Sequence, residues 1–309
     1  MNIPTIHPAG LKKGDTIAIV APAGPIQSRP ALYDSAAVLE RMGFRVLIEE
    51  RIFSASRYLA GSDLERADAL MRAFTNDSVR AVIGLRGGYG CSRLIPYLDR
   101  ERLGRNPKLF MGFSDLITLH LFFHRYFGWV TLHGPMAVNP GIGACTEEQL
   151  AHLSALWTDP GYRPVLEFPQ LESWNPGRAE GRLVGGCLST VVASLGTPYE
   201  IDTRDAILFL EDVGEAPYRL DRMLTQLRLA RKTDSLSGVL LGTFHECDPP
   251  TGDYSLPEVL REILGQFDVP VLAHFPAGHG PENWALPLGA RVRIDSDARR
   301  VELLEPAVS

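Results

Sequence analysis

Cysteine is scarce in this chain of 309 residues, and its four cysteines lie far apart, at Cys91, Cys145, Cys187 and Cys247. No C-x-x-C pair occurs, so the spacing indicates neither a zinc knuckle nor a disulfide framework. Widely separated cysteines are typical of proteins kept in a reducing compartment. We therefore expect a cytoplasmic protein.

Long hydrophobic runs are also missing. A membrane-spanning helix needs about 20 apolar residues, and no run in the sequence approaches that length. Near the N-terminus, Lys12 and Lys13 precede the apolar run 17–21, an order that resembles a secretory signal. A signal core needs about 7 to 15 apolar residues, however, so this shorter run predicts a buried strand. We expect no membrane partner.

Positive charge is not concentrated anywhere in the sequence. The formal net charge is -6, from 31 Lys and Arg against 37 Asp and Glu, and the basic residues form no block. Binding to nucleic-acid phosphates requires clustered Lys and Arg, so the composition argues against a nucleic-acid partner. A small ligand is the expected partner.

What the sequence does contain is a regular alternation of apolar strands and amphipathic helices. Between residues 1 and 140 the patterns predict strands at 16–21, 44–48, 81–85, 108–113 and 129–132. Helices are predicted at 31–42 and 62–74, the second opened by the capping box Ser62-x-x-Glu65. This alternation indicates an α/β fold with a parallel sheet covered on both faces. The first domain is therefore predicted to be flavodoxin-like or Rossmann-like.

The second half of the chain repeats this organisation after an interruption. Residues 141–180 are rich in Pro and Gly around one helical stretch, 147–157, and predict a linker. Residues 181–309 predict a second α/β domain, with strands at 181–184, 206–210, 238–242 and 270–273 and helices at 188–195, 217–230 and 257–267. A closing hairpin is predicted from 291–294 and 300–304. Two domains also fit the chain length.

Ser114 stands where an apolar strand pattern ends and a helical pattern begins, in the segment FMGFSD at 110–115. A serine on a strand-to-helix corner projects its hydroxyl outward, and the N–H of the next residue can meet a developing oxyanion. This position is typical of a nucleophile. The alternative is that Ser114 only caps the helix predicted at 115–126, because serine is a preferred N-cap residue.

A serine nucleophile requires a base, and the chain has eight histidines. His7 lies outside the predicted elements, and three others lie on predicted helices, where packing is the simpler role: His120, His124 and His152. The remaining four lie in or just after predicted strands: His133, His245, His274 and His279. Only His279 is flanked by glycines, which let the backbone bend tightly around a catalytic imidazole. The alternative is a turn histidine without a catalytic role.

Acidic residues follow the strand predicted at 206–210, at Glu211, Asp212 and Glu215. Ligands of parallel sheets bind beyond the carboxyl ends of the strands, where these acids fall. Glu211 is the best candidate for orienting a catalytic histidine because it directly continues the strand. Asp212 and Glu215 alternatively cap the helix that follows Pro217, or form a solvated acidic turn.

Two further segments suggest binding sites. The segment RGGYG at 86–90 offers unobstructed N–H groups, which suit an oxyanion hole or a phosphate nest. Its spacing matches neither G-x-G-x-x-G nor G-x-x-x-x-G-K-[ST], which argues against a nucleotide loop. The segment HECD at 245–248 contains metal-ligand types, but neighbours on an extended chain point to opposite sides. We expect no metal.

Together these segments resemble one family, the LD-carboxypeptidases, also called muramoyltetrapeptide carboxypeptidases. The resemblance rests on RGGYG at 86–90, GFSD at 112–115, LEDVGE at 210–215 and GHG at 278–280. It spans nearly the whole chain, from IVAPA at 19–23 through GRLVGG at 181–186. Cys187 is a departure, because asparagine is the more usual residue after the paired glycines.

The resemblance implies roles for individual residues. Ser114 would be the nucleophile, His279 the general base and Glu211 its orienting partner. The oxyanion would be held by the N–H groups of Asp115 and Gly88. Substrate contacts are expected from Arg86 and Gly87, with the Arg86 cation beside the substrate's terminal carboxylate. The nucleophile would then lie in the first domain and its partners in the second.

The implied activity is a serine carboxypeptidase that releases terminal D-alanine from muropeptide tetrapeptides in peptidoglycan recycling. The resemblance implies no cofactor and a homodimer. Some relatives instead act as self-immunity proteins that cleave the peptidyl-nucleotide microcin C. Trp174 is a candidate to stack on the nucleobase, and the alternative is that it only packs the linker. A third hypothesis is a non-catalytic, two-lobed module whose glycine-rich loops hold a small anion.

Overall fold

The computed structural model describes residues 3–138, 141–250 and 252–309, which form two compact units. Unit 1 runs to Tyr162 and also includes 284–287 and 306–309, whereas unit 2 comprises 163–283 and 288–305. The domain boundary expected at residue 140 lies outside the described residues.

Strands and helices alternate along the first half of the chain, as the sequence predicts. They are β1 (Thr16–Val20), α1 (Arg29–Arg41), β2 (Arg45–Ile48), α2 (Asp63–Thr75), β3 (Val79–Gly84), α3 (Arg100–Gly104), β4 (Leu109–Gly112), α4 (Ile117–Phe127), β5 (Thr131–His133) and α5 (Glu147–Thr158). Strands β2, β1, β3, β4 and β5 lie side by side in that order, and each neighbouring pair is parallel. The predicted parallel sheet is confirmed.

The second half contains longer strands. Its elements are β6 (Val165–Glu167), β7 (Glu172–Asn175), β8 (Arg178–Cys187), α6 (Leu188–Ala193), β9 (Ala206–Val213), α7 (Pro217–Leu229), β10 (Gly238–His245), α8 (Leu256–Leu264), β11 (Val271–Ala273), β12 (Leu286–Leu288), β13 (Arg291–Asp295) and β14 (Arg300–Leu303). Strand β12 joins the first sheet beside β5, and the others form a second sheet in the order β6-β14-β13-β8-β9-β10-β11-β7. Its centre, β8 to β11, is parallel.

The antiparallel strands surround this parallel centre. Strands β13 and β14 pair antiparallel, which confirms the predicted closing hairpin. Strands β6 and β7 were not expected, because they lie in the segment predicted as a linker. Strand β6 pairs with β14 and β7 pairs with β11, so both find partners more than 90 residues away in the sequence. The helix predicted in the same segment is confirmed as α5.

Helix starts follow the capping chemistry read from the sequence. The capping box of Ser62 and Glu65 opens α2, and that of Ser255 and Glu258 opens α8. In each box the serine hydroxyl and the glutamate side chain satisfy backbone N–H groups that the helix itself leaves without acceptors. Within the described chain, no helix combines the length and apolar character needed to cross a membrane.

An aromatic cluster supports the carboxyl end of β4, where the candidate nucleophile follows. Phe123 of α4 lies 5.1 Å, ring centre to ring centre, from both Phe110 of β4 and Trp129, and 5.2 Å from Phe74 of α2. All four side chains are buried. Edge and tilted contacts at these distances add to the stabilisation from burial, so the helix after Ser114 is firmly packed on the sheet.

Candidate active site

Ser114 occupies a strained corner between β4 and α4. It begins a short 3-10 helix, Ser114–Leu116, and its φ angle is 62°. A non-glycine residue in this left-handed region is strained, and such strain is concentrated at functional sites. The N-cap residues of the 3-10 helix and of α4 are Phe113 and Leu116, so the alternative that Ser114 caps the helix is wrong.

Small residues allow this corner to sit directly on the sheet. A Cβ atom on Gly84 of β3 or Gly112 of β4 would collide with Cδ2 of Leu116. A side chain at either position would therefore displace the Leu116 side chain from its present place. The tight packing fixes the start of the 3-10 helix, and with it the backbone of Ser114.

The glycine-rich loop after β3 lies against the Ser114 side chain. A Cβ atom on Gly87 would lie 2.6 Å from both Cβ and Oγ of Ser114, and 3.4 Å from the backbone nitrogen of Asp115. The absence of a side chain at Gly87 thus keeps the space beside the hydroxyl and this N–H open. Gly88, with φ 109°, packs instead on Gly24.

The carboxylate of Asp115 ties this loop to the corner. Its Oδ2 accepts a hydrogen bond of 2.8 Å from the backbone N–H of Cys91, directly after the loop. Burial raises the pKa of Asp115, and the hydrogen bond from Cys91 opposes that rise. The sequence prediction used only the backbone N–H of Asp115 and missed this role of its side chain.

Arg66 supports the same loop from α2. Its guanidinium donates to the carbonyl oxygens of Gly90, at 3.0 Å, and of Pro22, and its Nη2 pairs with Asp63. Asp63 also pairs with Arg93 at 2.8 Å. Sequence reasoning missed Arg66, although its place in the first turns of the capping-box helix was visible.

The guanidinium of Arg86, the residue before Gly87, makes few hydrogen bonds to the described part of the chain. It is half-buried, and its Nη1 makes one long hydrogen bond, 3.3 Å, to the carbonyl oxygen of Pro25. Its Nε is buried and has no hydrogen-bond partner among the described residues. Burial lowers the pKa of this guanidinium. A half-buried guanidinium with so few hydrogen bonds suits an anionic ligand group.

His120 braces the end of β4 from within α4. Its Nε2 lies 3.0 Å from the carbonyl oxygen of Gly112, and its Nδ1 lies 2.7 Å from Oγ1 of Thr131. A carbonyl only accepts, so Nε2 carries the proton and Nδ1 accepts from the threonine hydroxyl. Burial lowers the pKa of His120 to about 3, so the ring is neutral near pH 7. The predicted packing role of this histidine is confirmed.

We expect His120→Leu to lower the free energy of unfolding by about 1 to 3 kcal/mol, because it removes one donor and one acceptor from a buried network. His120→Gln should recover part of this loss, since its amide can donate to Gly112. Denaturant unfolding at pH 7 measures both changes.

The neutral state of His120 also predicts how the free energy of unfolding depends on pH. Its pKa is about 3 when folded, against an ordinary value of 6.5, so the unfolded chain binds the extra proton between these values. Its contribution to stability is therefore complete above pH 6.5 and declines as the pH falls towards 3. His120→Gln should make stability less dependent on pH across this window. An unchanged pH dependence in that variant would contradict the neutral, buried assignment.

Glu211 and His279 form a hydrogen-bonded pair in unit 2. Glu211 lies on β9 with a fully buried side chain, and its Oε2 lies 2.7 Å from Nδ1 of His279. A carboxylate accepts, so Nδ1 carries the proton and the lone pair of the ring lies on Nε2. This is the tautomer that a general base requires.

The charge of Glu211 acts on the basicity of this histidine. Burial disfavours the imidazolium, but the hydrogen bond and negative charge of Glu211, assisted by the charge of Asp212, outweigh burial and raise the pKa of His279. The imidazole is thus made a stronger base than an ordinary histidine.

Glycine and asparagine residues shape the loop that carries His279. Gly278 has φ 120°, and a Cβ atom there would lie 2.9 Å from both Cβ and Cγ of Glu211. Its N–H donates to Oδ1 of the buried Asn283 at 3.0 Å. The predicted need for flexible backbone at this loop is confirmed at Gly278, whereas Asn283 was missed.

The sequence suggested that Asp212 caps the helix that follows Pro217, but its carboxylate binds the start of a different helix. Its carboxylate accepts from the N–H of Ser189 at 2.7 Å, in the first turn of α6. The N-cap of α7 is Ala216, so the alternative that Asp212 caps this helix is wrong. Glu215 pairs with Arg219 at 3.4 Å. Burial raises the pKa of Asp212.

Cys187 lies beside this acidic pair. It is aligned with Glu211 in the β8–β9 register, and its Sγ lies 3.2 Å from Oγ of Ser189. Burial, followed by the charges of Glu211 and Asp212, raises the pKa of this thiol well above its ordinary value. Cys187 is therefore a neutral thiol and a packing residue here.

The other candidate histidines lie in or after other strands. His133 is buried in β5, His245 ends β10, and His274 follows β11 with its Nε2 3.6 Å from Glu172. Among the described residues, no cluster of three or more His, Cys, Asp or Glu side chains is arranged to hold a metal ion.

The predicted site residues thus fall into two groups. Unit 1 brings together Ser114, Gly87 and the N–H of Asp115, with Arg86 and Gly88 in the same loop. Unit 2 brings together Glu211 and His279. Each group is assembled within its own unit by hydrogen bonds and close glycine contacts.

Comparison with known proteins gives concordant results. Models of the LD-carboxypeptidase N-terminal and C-terminal domains match residues 17–134 and 180–294. The chain is 37% identical to the "Probable murein peptide carboxypeptidase" of Bacillus subtilis, over 98% of this chain and 95% of the relative. It is 28% identical to the "Microcin C7 self-immunity protein MccF" of Escherichia coli, over 98% of each. A muramoyltetrapeptide carboxypeptidase structure from Oxalobacter formigenes superposes with a TM-score of 0.82 at 31% identity, covering 93% of this chain and 97% of that one.

Proposed function

The chain belongs to the LD-carboxypeptidase family, and on this premise we propose that it is a serine carboxypeptidase acting on muropeptides. It would hydrolyse the L,D peptide bond that precedes the terminal D-alanine of a murein tetrapeptide. The names of its relatives support this substrate class. The proposed triad is Ser114, His279 and Glu211.

The observation that carries the proposal is the His279–Glu211 pair. A histidine whose Nδ1–H donates to a fully buried carboxylate over 2.7 Å is oriented and made more basic. Gly278, at φ 120°, lets the loop that carries His279 pack directly on Glu211. The strained geometry of Ser114 supports the same conclusion for the nucleophile.

In the proposed first step, Nε2 of His279 takes the proton of the Ser114 hydroxyl while Oγ attacks the carbonyl carbon. The carbonyl oxygen becomes an oxyanion, held by the N–H groups of Asp115 and Gly88. Glu211 stabilises the imidazolium that forms. The contact of Gly87 with Ser114 supports this arrangement, since it keeps the N–H of Asp115 accessible.

In the second step, the imidazolium returns its proton to the leaving nitrogen and D-alanine departs, leaving an ester on Ser114. Water then attacks the ester with His279 again as base, and the serine hydroxyl is restored. The substrate's terminal carboxylate needs a cation, and Arg86 would provide it with help from the Gly87 backbone. The half-buried guanidinium of Arg86, with one long hydrogen bond from Nη1 to Pro25, supports this role.

Release of D-alanine from the tetrapeptide L-Ala-γ-D-Glu-meso-diaminopimelate-D-Ala tests the proposal. We expect purified protein to release it without added cofactor or metal. Unchanged tetrapeptide after prolonged incubation would contradict the proposal.

The pKa of His279 predicts the pH profile of this reaction. The base must be neutral in the free enzyme, and its pKa is raised above the ordinary value of 6.5. We therefore expect kcat/KM to increase with pH through a midpoint above 6.5. Glu211→Gln removes the charge that raises the pKa, so any residual activity should have a lower midpoint. An unshifted midpoint in this variant would contradict the pairing of the two residues.

A second candidate keeps the chemistry and changes the substrate to a peptidyl-nucleotide. The identity of 28% with the self-immunity protein, over 98% of both chains, supports it. The Arg261 guanidinium lies 4.7 Å from the ring centre of Trp174 and His274 packs on its edge, which favours the alternative that Trp174 has a packing role. Competition between a muropeptide and an aminoacyl-sulfamoyl adenylate in one hydrolysis assay separates the two substrates.

We extend the proposal to a cytoplasmic homodimer that acts in peptidoglycan recycling. The scattered cysteines and the family support this extension. Light scattering on the purified protein should give twice the mass of the chain, and a monomer mass would contradict the dimer.

A further inference from the structure

Unit 1 contains a cavity of about 250 Å³ between α2 and the strands β1 and β2. Its wall on the helix side includes Ala69 and Ala73, which are four residues apart and therefore lie on one face of α2. Its wall on the sheet side includes Ala18 of β1 and Leu47 of β2. The small alanine side chains leave the space between the helix and the sheet unfilled.

The interior of this cavity suits a short aliphatic chain. An apolar cavity of about 150 Å³ holds a benzene molecule, so the larger volume here has room for a chain of about six carbon atoms. Three buried side chains add apolar surface to the wall, those of Ile19, Val20 and Ile52. Burial of methylene groups against such a wall is favourable.

Most of the charged residues in the wall are balanced within the protein. Arg72 pairs with Glu49 at 2.6 Å, and both residues line the cavity. Arg66 is buried in the wall, where it pairs with Asp63 and donates to the carbonyl oxygen of Gly90. These charges therefore already have protein partners.

Arg51 differs from these residues. It is exposed at an opening of the cavity, and within the described part of the chain its guanidinium makes neither a hydrogen bond nor an ion pair. The neighbouring carboxylate of Glu65 is held instead by Ser62, whose N–H donates at 2.9 Å and whose hydroxyl donates at 2.8 Å. A guanidinium has five N–H donors in a geometry that matches a carboxylate. The cavity thus combines an apolar interior with an uncommitted cation at its opening.

We propose that this cavity binds a short aliphatic carboxylate, with the chain between α2 and β1 and the carboxylate on the guanidinium of Arg51. The site is distinct from the proposed triad, because Ser114, His279 and Glu211 are not among its lining residues. The inference therefore does not depend on the proposed function, and binding measurements test it without any hydrolysis assay.

Titration with hexanoate, followed by NMR through the amide resonances of Ala60 and Ala69, tests the proposal. Both residues line the cavity. We expect saturable shifts with a Kd in the millimolar range, and a Kd for butyrate about tenfold higher, because two fewer methylene groups are buried. The absence of saturable shifts at both residues up to about 50 mM hexanoate would overturn the proposal.

Arg51→Gln tests the binding of the carboxylate. This variant should raise the Kd of hexanoate about fivefold and leave the Kd of hexan-1-ol unchanged, because the alcohol has the same chain and no charge. Arg57→Gln is the matched control, since Arg57 is a nearby exposed arginine that does not line the cavity. It should change neither Kd. Equal Kd values for hexanoate in the wild-type protein and in Arg51→Gln would overturn the role of Arg51.

Ala69→Leu tests the position of the chain. A leucine at this half-buried position of α2 fills the cavity, so the Kd values of hexanoate and hexan-1-ol should both rise at least about tenfold. Circular dichroism checks that the variant is folded, and the amide of Ala60 remains as the reporter. If the folded variant binds hexanoate as tightly as the wild-type protein, the ligand lies elsewhere and the proposal is wrong.

Discussion

Ser114→Ala is expected to reduce kcat for D-alanine release by about 10⁴-fold or more, with the fold intact. The variant lacks the oxygen that forms the covalent intermediate, and the remaining rate comes from the oxyanion hole and substrate binding alone. Steady-state assays over a range of enzyme concentrations measure the loss. Activity within about tenfold of wild type would show that another group attacks the substrate.

Ser114→Gly provides a matched control for backbone strain. Both variants remove the nucleophile, but only glycine adopts φ 62° without steric cost. We expect both to be inactive, and the glycine variant to unfold with a free energy about 1 kcal/mol above that of the alanine variant. Lower stability of the glycine variant would contradict a strained corner at Ser114.

His279→Ala is expected to reduce kcat by about 10³-fold to 10⁴-fold, because the serine loses its base. It also leaves the buried carboxylate of Glu211 without the imidazole at Oε2, so the free energy of unfolding should fall by about 1 to 3 kcal/mol. His279→Asn offers an amide donor near the position of Nδ1. It should be equally inactive and closer to wild-type stability.

The double variant Ser114→Ala/His279→Ala tests whether the two residues act as one unit. The two residues belong to different compact units of the chain. Their cooperation in catalysis is therefore tested by measuring activity. We expect the double variant to lose little more activity than Ser114→Ala alone. Losses that multiply would indicate that the two side chains act independently.

The strand-to-helix corner is the part of the site that the sequence predicts best. The change from an apolar run to a helical pattern predicts a corner at Ser114. The structure has β4 before this residue, and a 3-10 turn that begins at it followed by α4. The sequence pattern does not predict the left-handed φ angle of Ser114. That angle accompanies the packing of Leu116 against Gly84 and Gly112, a contact between elements that a local pattern does not encode.

Strands β6 and β7 could not be predicted in the same way. Each has at most four residues, and each is held by a partner far along the chain, β14 for β6 and β11 for β7. Short edge strands owe their structure to this pairing and carry little local signal. The Pro- and Gly-rich composition around them therefore resembled a linker.

Supporting polar residues were missed for a related reason. His120 and Arg66 bind the backbone carbonyls of Gly112 and Gly90 in other elements, and Asn283 binds the N–H of Gly278 across a loop. Asp212 likewise binds the start of α6, 23 residues earlier in the chain. Such partners are set by the tertiary fold, whereas catalytic residue types at strand ends are visible in the sequence.

The rate at which a fluorophosphonate modifies Ser114, with the site located by mass spectrometry, tests the central claim most directly. The reagent reacts with a serine that a neighbouring base activates. We expect rapid, single-site labelling at Ser114 in the wild-type protein, labelling slowed at least about 100-fold in His279→Asn, and none at this position in Ser114→Ala. A wild-type protein that stays unlabelled at Ser114 would contradict the serine hydrolase and favour a two-lobed binding protein.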